Sequence, residues 1–318
     1  NRNKNMSEQN NMDDMVEVKM EMALQPQNPD EEKAAAASEG ERPKLNHKNI
    51  LNLVVFIINV VFTYGVGTSG WFGGSSNGEL SEKYQTIITP KSTAFSIWGV
   101  IFISQAIFSV LQLLPRFRGL PMVQQGVSYW WTSICIMQTG WTFSFAYEQI
   151  PLSLFFMLAL WISLMGLLYS QYYIPSDGSL VEFWLFRFPF AIHGGWITAA
   201  SALNVNIVSV WKSDPATTQL ALAIVSLAVL HAISVWVLFN LKRPNYTIAC
   251  VLCWANGWIF AELQNPNELV STTFGETIIT SVAYAARAVA FIILAQVIIR
   301  VSICGYQRHL SKSIHLNA

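Results

Sequence analysis

Several stretches of this chain are about twenty residues long and predominantly apolar. A helix of that length crosses a hydrocarbon layer about 30 Å thick. The fold class that follows is all-α: a polytopic membrane helical bundle of about eight transmembrane helices. The spans are expected at 50–72, 93–114, 127–147, 151–174, 189–211, 217–241, 245–263 and about 278–304. Composition agrees. The chain is 53% hydrophobic and 12% charged, where a soluble domain carries about 25% charged residues.

The charge is unevenly spread. Residues 1–47 hold 10 of the 19 acids and 6 of the 19 bases, and no aromatics. Such a segment buries too little surface to order itself, so a disordered acidic tail is expected. It lacks the basic start and apolar core of a secretory signal. Prolines 90, 151, 215 and 244 stand at or before span starts, where a missing N–H costs nothing. Basic residues cluster before span one (Arg42, Lys44, Lys48) and after spans two (Arg116, Arg118), four (Arg187), six (Lys242, Arg243) and eight (Arg308, Lys312). The alternate loops hold only Lys83, Lys91 and Lys212. That asymmetry puts both termini on the cytoplasmic side of an even number of helices.

Several motifs carry little chemistry. "GVGTSG" (65–70) ends a membrane span instead of joining a strand to a helix, so it reads as a flexible exit and not a nucleotide site. Asn245-Tyr246-Thr247 is a sequon on the cytoplasmic side, where no glycan is expected. Residues 301–308 fit a proposed sterol-contact pattern, which is common and weak. Cys135, Cys250, Cys253 and Cys304 lie in or beside spans and read as packed apolar residues, without a disulfide framework or metal ligation. No catalytic set is evident, and no nucleic-acid partner is expected.

One charge stands out. Arg287 falls near the middle of the eighth span. A guanidinium in hydrocarbon is costly, so it is expected to face the protein interior with a carboxylate partner, Glu262 first and Glu276 second.

The aromatic residues are not confined to interfaces. Phe95, Trp98 and Phe102 fall at i, i+3 and i+7, on one helical face. Gln138, Trp141 and Phe145 do the same, as do His193, Trp196, Ala200 and Asn204. Trp254 and Trp258 are four apart, and Gly195 and Ala199 give a spacing that lets another helix approach closely. Each helix thus offers rings and a hydrogen-bonding group. That suits a pocket for a flat, mostly apolar ligand.

At these residues the chain resembles a known family. "TPKSTAFSIWGVIF" (89–102), "QTGWTFSFAYEQIPLSL" (138–154) and "GGWITAASALN" (194–204) are similar to the second, third-to-fourth and fifth helices of the TspO/MBR family, the translocator and tryptophan-rich sensory proteins. The resemblance covers about residues 48–211. It implies a five-helix membrane domain (48–212), followed by a three-helix extension (213–306) as in longer relatives and a C-terminal tail (307–318). It also implies a pocket capped by the loop between the first two helices, binding porphyrin, haem or sterol-like ligands without a required cofactor. Carried over by motif, Phe95, Trp98, Trp141, Trp196, Ala200 and Asn204 line that pocket. Tryptophans at the places of Trp98 and Trp196 are linked in some relatives to slow light-dependent porphyrin breakdown. The chain departs from the pattern at Gln138, where Asn is usual, at Phe188-Pro189-Phe190, which lies earlier than the family's Pro-Tyr, and in a loop whose only Trp is Trp71. His193 near the aromatic position offers haem a ligand that the family does not use.

Three functions are compatible with this reading. The first is a sensor or scavenger of a small hydrophobic ligand in the bilayer. The second is a small-solute transporter using Arg287. The third is a non-catalytic partner subunit recruiting proteins through its tail. A homodimer through close helix packing fits all three.

Overall fold

The computed structural model describes residues 43–316. All but the end of the expected acidic tail lies outside these. Eight long helices follow in order: α1 (His47–Gly67), α2 (Ile97–Leu111), α3 (Trp130–Ala146), α4 (Ile150–Tyr173), α5 (Phe188–Trp211), α6 (Ala216–Val235), α7 (Tyr246–Glu262) and α8 (Glu276–Leu316). A 3₁₀ turn, Ser92–Ser96, leads into α2; π-turns at Phe183–Arg187 and Trp236–Asn240 precede α5 and extend α6. No strand occurs among the described residues. The chain is an all-α membrane bundle. α1, α2 with its leading turn, α4, α6 with its π-turn and residues 276–307 of α8 are each long and apolar enough to cross a bilayer. α8 runs on as helix to Leu316, through the segment expected to be a tail.

The helices are inside-out by soluble-protein standards. On α1 the buried positions are Asn49, Asn52, Phe56 and Asn59 at helical spacing, while Val54, Ile57, Ile58 and Val61 face outward. A bilayer reverses the usual preference: apolar side chains meet lipid, and polar ones must pair inside. Asn49 Nδ2 donates to Gln112 Oε1 at 2.7 Å, and Gln112 Nε2 returns a bond to Asn49 O at 2.7 Å.

The packing forms two rings that share one helix. α1 packs on α2 and α3, α3 on α4, α4 on α5, and α5 on α2, which closes a five-helix ring. α5 also packs on α6 and α7, and both of these pack on α8, which closes a second ring. α5 is therefore enclosed by protein, and its sequence shows why it can be. Gly194 lies under Leu168 of α4 and Gly195 under α7. Thr198, Asn204 and Asn206 bond the carbonyls four residues back. A helix facing protein on every side needs no lipid-facing apolar stripe.

The two ends of the bundle differ in charge. One end carries Glu79, Glu82, Glu148, Asp214, Glu262, Glu268 and Glu276 against Lys83, Lys91 and Lys212. The other carries Lys48, Arg116, Arg118, Arg187, Lys242, Arg243 and Arg300 against Asp177 and Glu182. They are the acidic end and the basic end below.

Arg287 does not face the interior. It is exposed on α8, with its guanidinium carbon 5.4 Å from the Phe260 ring centre and 5.6 Å from that of Phe291. Its expected partner, Glu262, instead accepts from Gln85 Nε2 at 2.6 Å. The sequence places a charge along a span but not around its helix; the two rings cover the guanidinium by cation–π contact instead of an ion pair.

The α5–α7 contact is tight enough to test. A Cβ on Gly195 would lie 2.9 Å from Val251 Cβ and 3.2 Å from Ile248 Cα. Gly195→Val is expected to destabilise the protein by about 1–3 kcal/mol through overpacking, seen as a lower melting midpoint in detergent. Gly257→Ala, where nothing stands within 4 Å of the new Cβ, is expected to change little. Equal effects at both positions would show that α5 and α7 are not in close contact.

Candidate ligand cavity

The five-helix ring is filled at its basic end. Phe108, Trp131, Phe186 and Phe190 are each at most 2% exposed and meet edge to face, with ring centres 4.9–6.4 Å apart. Such pairs each add about 0.5–1.5 kcal/mol beyond their burial. Above this plug is a polar layer. Gln105 Nε2 stands 2.9 Å from His193 Nδ1. With the amide donating, His193 Nδ1 accepts and the ring proton sits on Nε2.

Toward the acidic end the rings stand back against the walls and a cavity of about 620 Å³ opens. That volume is in the range of pockets for drug-sized ligands. Phe95, Trp98, Phe102, Trp141, Phe145, Trp196, Ala200 and Asn204 all line it, and so does Glu262. The helical-face spacing thus brings together eight of the ten residues singled out as ligand-binding. The rings brace one another. Trp98 stacks on Phe102 at 5.4 Å and stands perpendicular to Trp196 at 6.5 Å; Phe95 meets Trp196 edge-on at 5.5 Å; Trp141 stacks on Phe145 at 5.2 Å. Trp141 Nε1 donates to Asn204 Oδ1 at 3.2 Å, tying α3 to α5.

The other two do not line the cavity. His193 is fully buried behind Trp98, whose ring centre is 5.6 Å away. This position does not offer an axial ligand to a haem in the cavity. Gln138 is 1% exposed, and neither of its side-chain polar atoms is paired. Both share a helix face with lining residues but sit one turn deeper, where Gln105 and the packed rings close the space. Arg287 also stands outside the lining.

The roof is the segment between α1 and α2, the loop that the family resemblance implies as the cap, but none of its lining residues is among those singled out in the sequence. Asn77, Ser81, Glu82, Gln85 and Thr89 line the cavity from above. The roof is ordered by a short helix, Asn77–Lys83, whose capping box pairs Ser76 with Glu79 in both directions. That Ser-x-x-Glu signal is present in the sequence. The roof is then fastened on two sides. Toward α3 and α4, Ser75 N donates to Ala146 O at 3.0 Å, Tyr147 OH to Phe72 O at 3.0 Å, and Lys83 pairs with Glu148. Toward α7, Lys91 N donates to Trp258 O at 3.1 Å and Trp254 Nε1 to Ala94 O at 3.3 Å. Gln85 holds Glu262, and Asn267 Nδ2 donates to Glu82 O at 3.4 Å. Trp254 and Trp258 thus clamp the roof.

With this geometry in hand, the comparisons with known proteins are clear. The chain matches the family described as TSPO-like protein over residues 49–299, and it belongs to that family. The match covers α1 to α7 and most of α8, so both rings fall within it. It is an integral, multi-pass membrane protein related to TspO. No curated protein and no solved structure matches it.

The latch at Glu148 sets a pH dependence. The Lys83 ammonium, then the Tyr84 hydroxyl, hold the Glu148 carboxyl below its ordinary value of 4.5. A lowered folded value means the latch stabilises the roof above that ordinary value and is lost as pH falls through the lowered one. Hydrogen-exchange protection of residues 75–91 is expected to fall at pH below about 4. Glu148→Gln is expected to show the same loss already at pH 7. Unchanged protection in the variant would mean that the latch does not hold the roof.

Proposed function

We propose that this protein binds a flat, mostly apolar ligand within the membrane and acts as a sensor, scavenger or carrier of it. Porphyrins, haem and sterol-like molecules are the ligands that the family resemblance implies. The observation that carries the reading is the 620 Å³ cavity, walled by Trp98, Trp141 and Trp196 and roofed by a fastened segment. Indoles braced by other side chains offer preformed surfaces for stacking at little ordering cost. In this reading all eight long helices cross the bilayer, both termini are cytoplasmic, and the cavity's acidic end faces away from the cytoplasm. The alternative of a transport path through Arg287 is less well supported, because that residue stands on the outer face of α8, apart from the cavity.

The test is a titration of the purified protein with protoporphyrin, haemin and a fluorescent sterol. It follows tryptophan quenching and the Soret band in wild type and Trp196→Phe. Saturable micromolar binding of at least one of them is expected, weakened about tenfold by the substitution, on the order of 1.4 kcal/mol. Binding indifferent to Trp196→Phe, or no saturable binding, would overturn the reading.

A further inference from the structure

The cavity's chemistry is one-sided. Two carboxylates line it, Glu82 and Glu262, and no Lys, Arg or His does. Gln85 is 7% exposed and commits its Nε2 to Glu262, while its Oε1, buried on the cavity wall, accepts no hydrogen bond. Turning the amide over would set its oxygen against the carboxylate, so the pairing fixes its orientation. Asn77 Oδ1, on the same roof, is likewise buried and unpaired. The buried unpaired atom on this wall whose identity is fixed by its partner, Gln85 Oε1, is thus an acceptor. Around the mouth the same sign prevails, with seven carboxylates against three lysines at that end. Such a field concentrates cations and repels anions. The ring faces on the walls are also negative.

We propose that the cavity is a site for amphipathic organic cations. A flat apolar body lies against Trp98 and Trp196, and a protonated amine or amidine donates to Gln85 Oε1 and pairs with Glu262 and Glu82. This rests on the cavity being a ligand site, and it narrows the ligand class. A buried acceptor needs a donor, and carboxylates facing a largely apolar cavity draw a cation toward it. A ligand carrying carboxylates must turn them away from the roof.

The experiment uses the full chain in phosphatidylcholine nanodiscs and three matched probes: 1-pyrenemethylamine, 1-pyrenemethanol and 1-pyrenecarboxylate. Tryptophan-to-pyrene energy transfer reads binding to wild type, Trp196→Phe, Glu262→Gln and Glu82→Gln. The amine is expected to bind about tenfold tighter than the alcohol, and the carboxylate weakest. Glu262→Gln and Glu82→Gln should each weaken the amine several-fold and leave the alcohol within about twofold. Should Glu262→Gln fail to fold, Glu82→Gln and the order of the three probes still decide. If all three probes bind alike, or the carboxylate binds best, while Trp196→Phe weakens every one, the cation proposal falls and the cavity reading stands. If none binds saturably, or Trp196→Phe changes nothing, both fall.

Discussion

The structure depends on the enclosure of α5. A helix with α2, α4, α6 and α7 around it has no lipid face, so each of its sides must fit a neighbour. Gly194 and Gly195 admit α4 and α7 to close range. Thr198 Oγ1 accepts from Trp161 Nε1 at 3.0 Å, which ties α4 again, and Asn206 Nδ2 donates to Ser226 Oγ at 2.8 Å, which holds the further neighbour α6. In hydrocarbon, close packing and paired polar groups replace the hydrophobic effect as the force between helices. Because α5 is a wall of both rings, α6, α7 and α8 are not an appendage. Through α7 they supply the cavity's second carboxylate and one anchor of its roof. A shift of α7 along α5 would move Glu262 and Trp196 relative to each other.

What the sequence reveals and what it hides follow from the range of the interactions involved. Apolar run length marks five of the long helices outright, since it is a local property, while α3, α5 and α7 carry more polar residues. Spacing at i, i+3 and i+7 gathers most of the cavity wall, because residues on one face of a helix meet the same space. Periodicity is blind to depth, however. His193 and Trp196 share a face, yet Gln105 closes the space between them. It is blind to rotation too: Arg287 lies on an exposed face of α8. The family resemblance implies the roof, but the residues that fasten and line it were hidden for another reason. Gln85 and Glu262 stand 177 residues apart, and nothing local marks them as partners. Only the Ser76–Glu79 capping box announces that the loop has structure of its own.

The cavity exists because aromatic side chains fill one end of the five-helix ring and stand back against the walls at the other. At the basic end, Phe108, Trp131, Phe186 and Phe190 fill the cross-section. At the acidic end, Gly99, Ala200 and Gly78 stand where large residues would close it. The aromatic residues that remain there are kept from collapsing inward. Trp141 is held by Asn204, Trp98 by Phe102 and His193, and Trp196 by Phe95. The same end gathers most of the bundle's carboxylates, and its roof carries a buried, unpaired acceptor, Gln85 Oε1. A space that served only as a packing defect would be apolar throughout, as empty cavities are. Here, braced rings on the walls and an unpaired acceptor in the roof divide the lining into an apolar part and a polar part. Recognition of an amphipathic molecule requires that division.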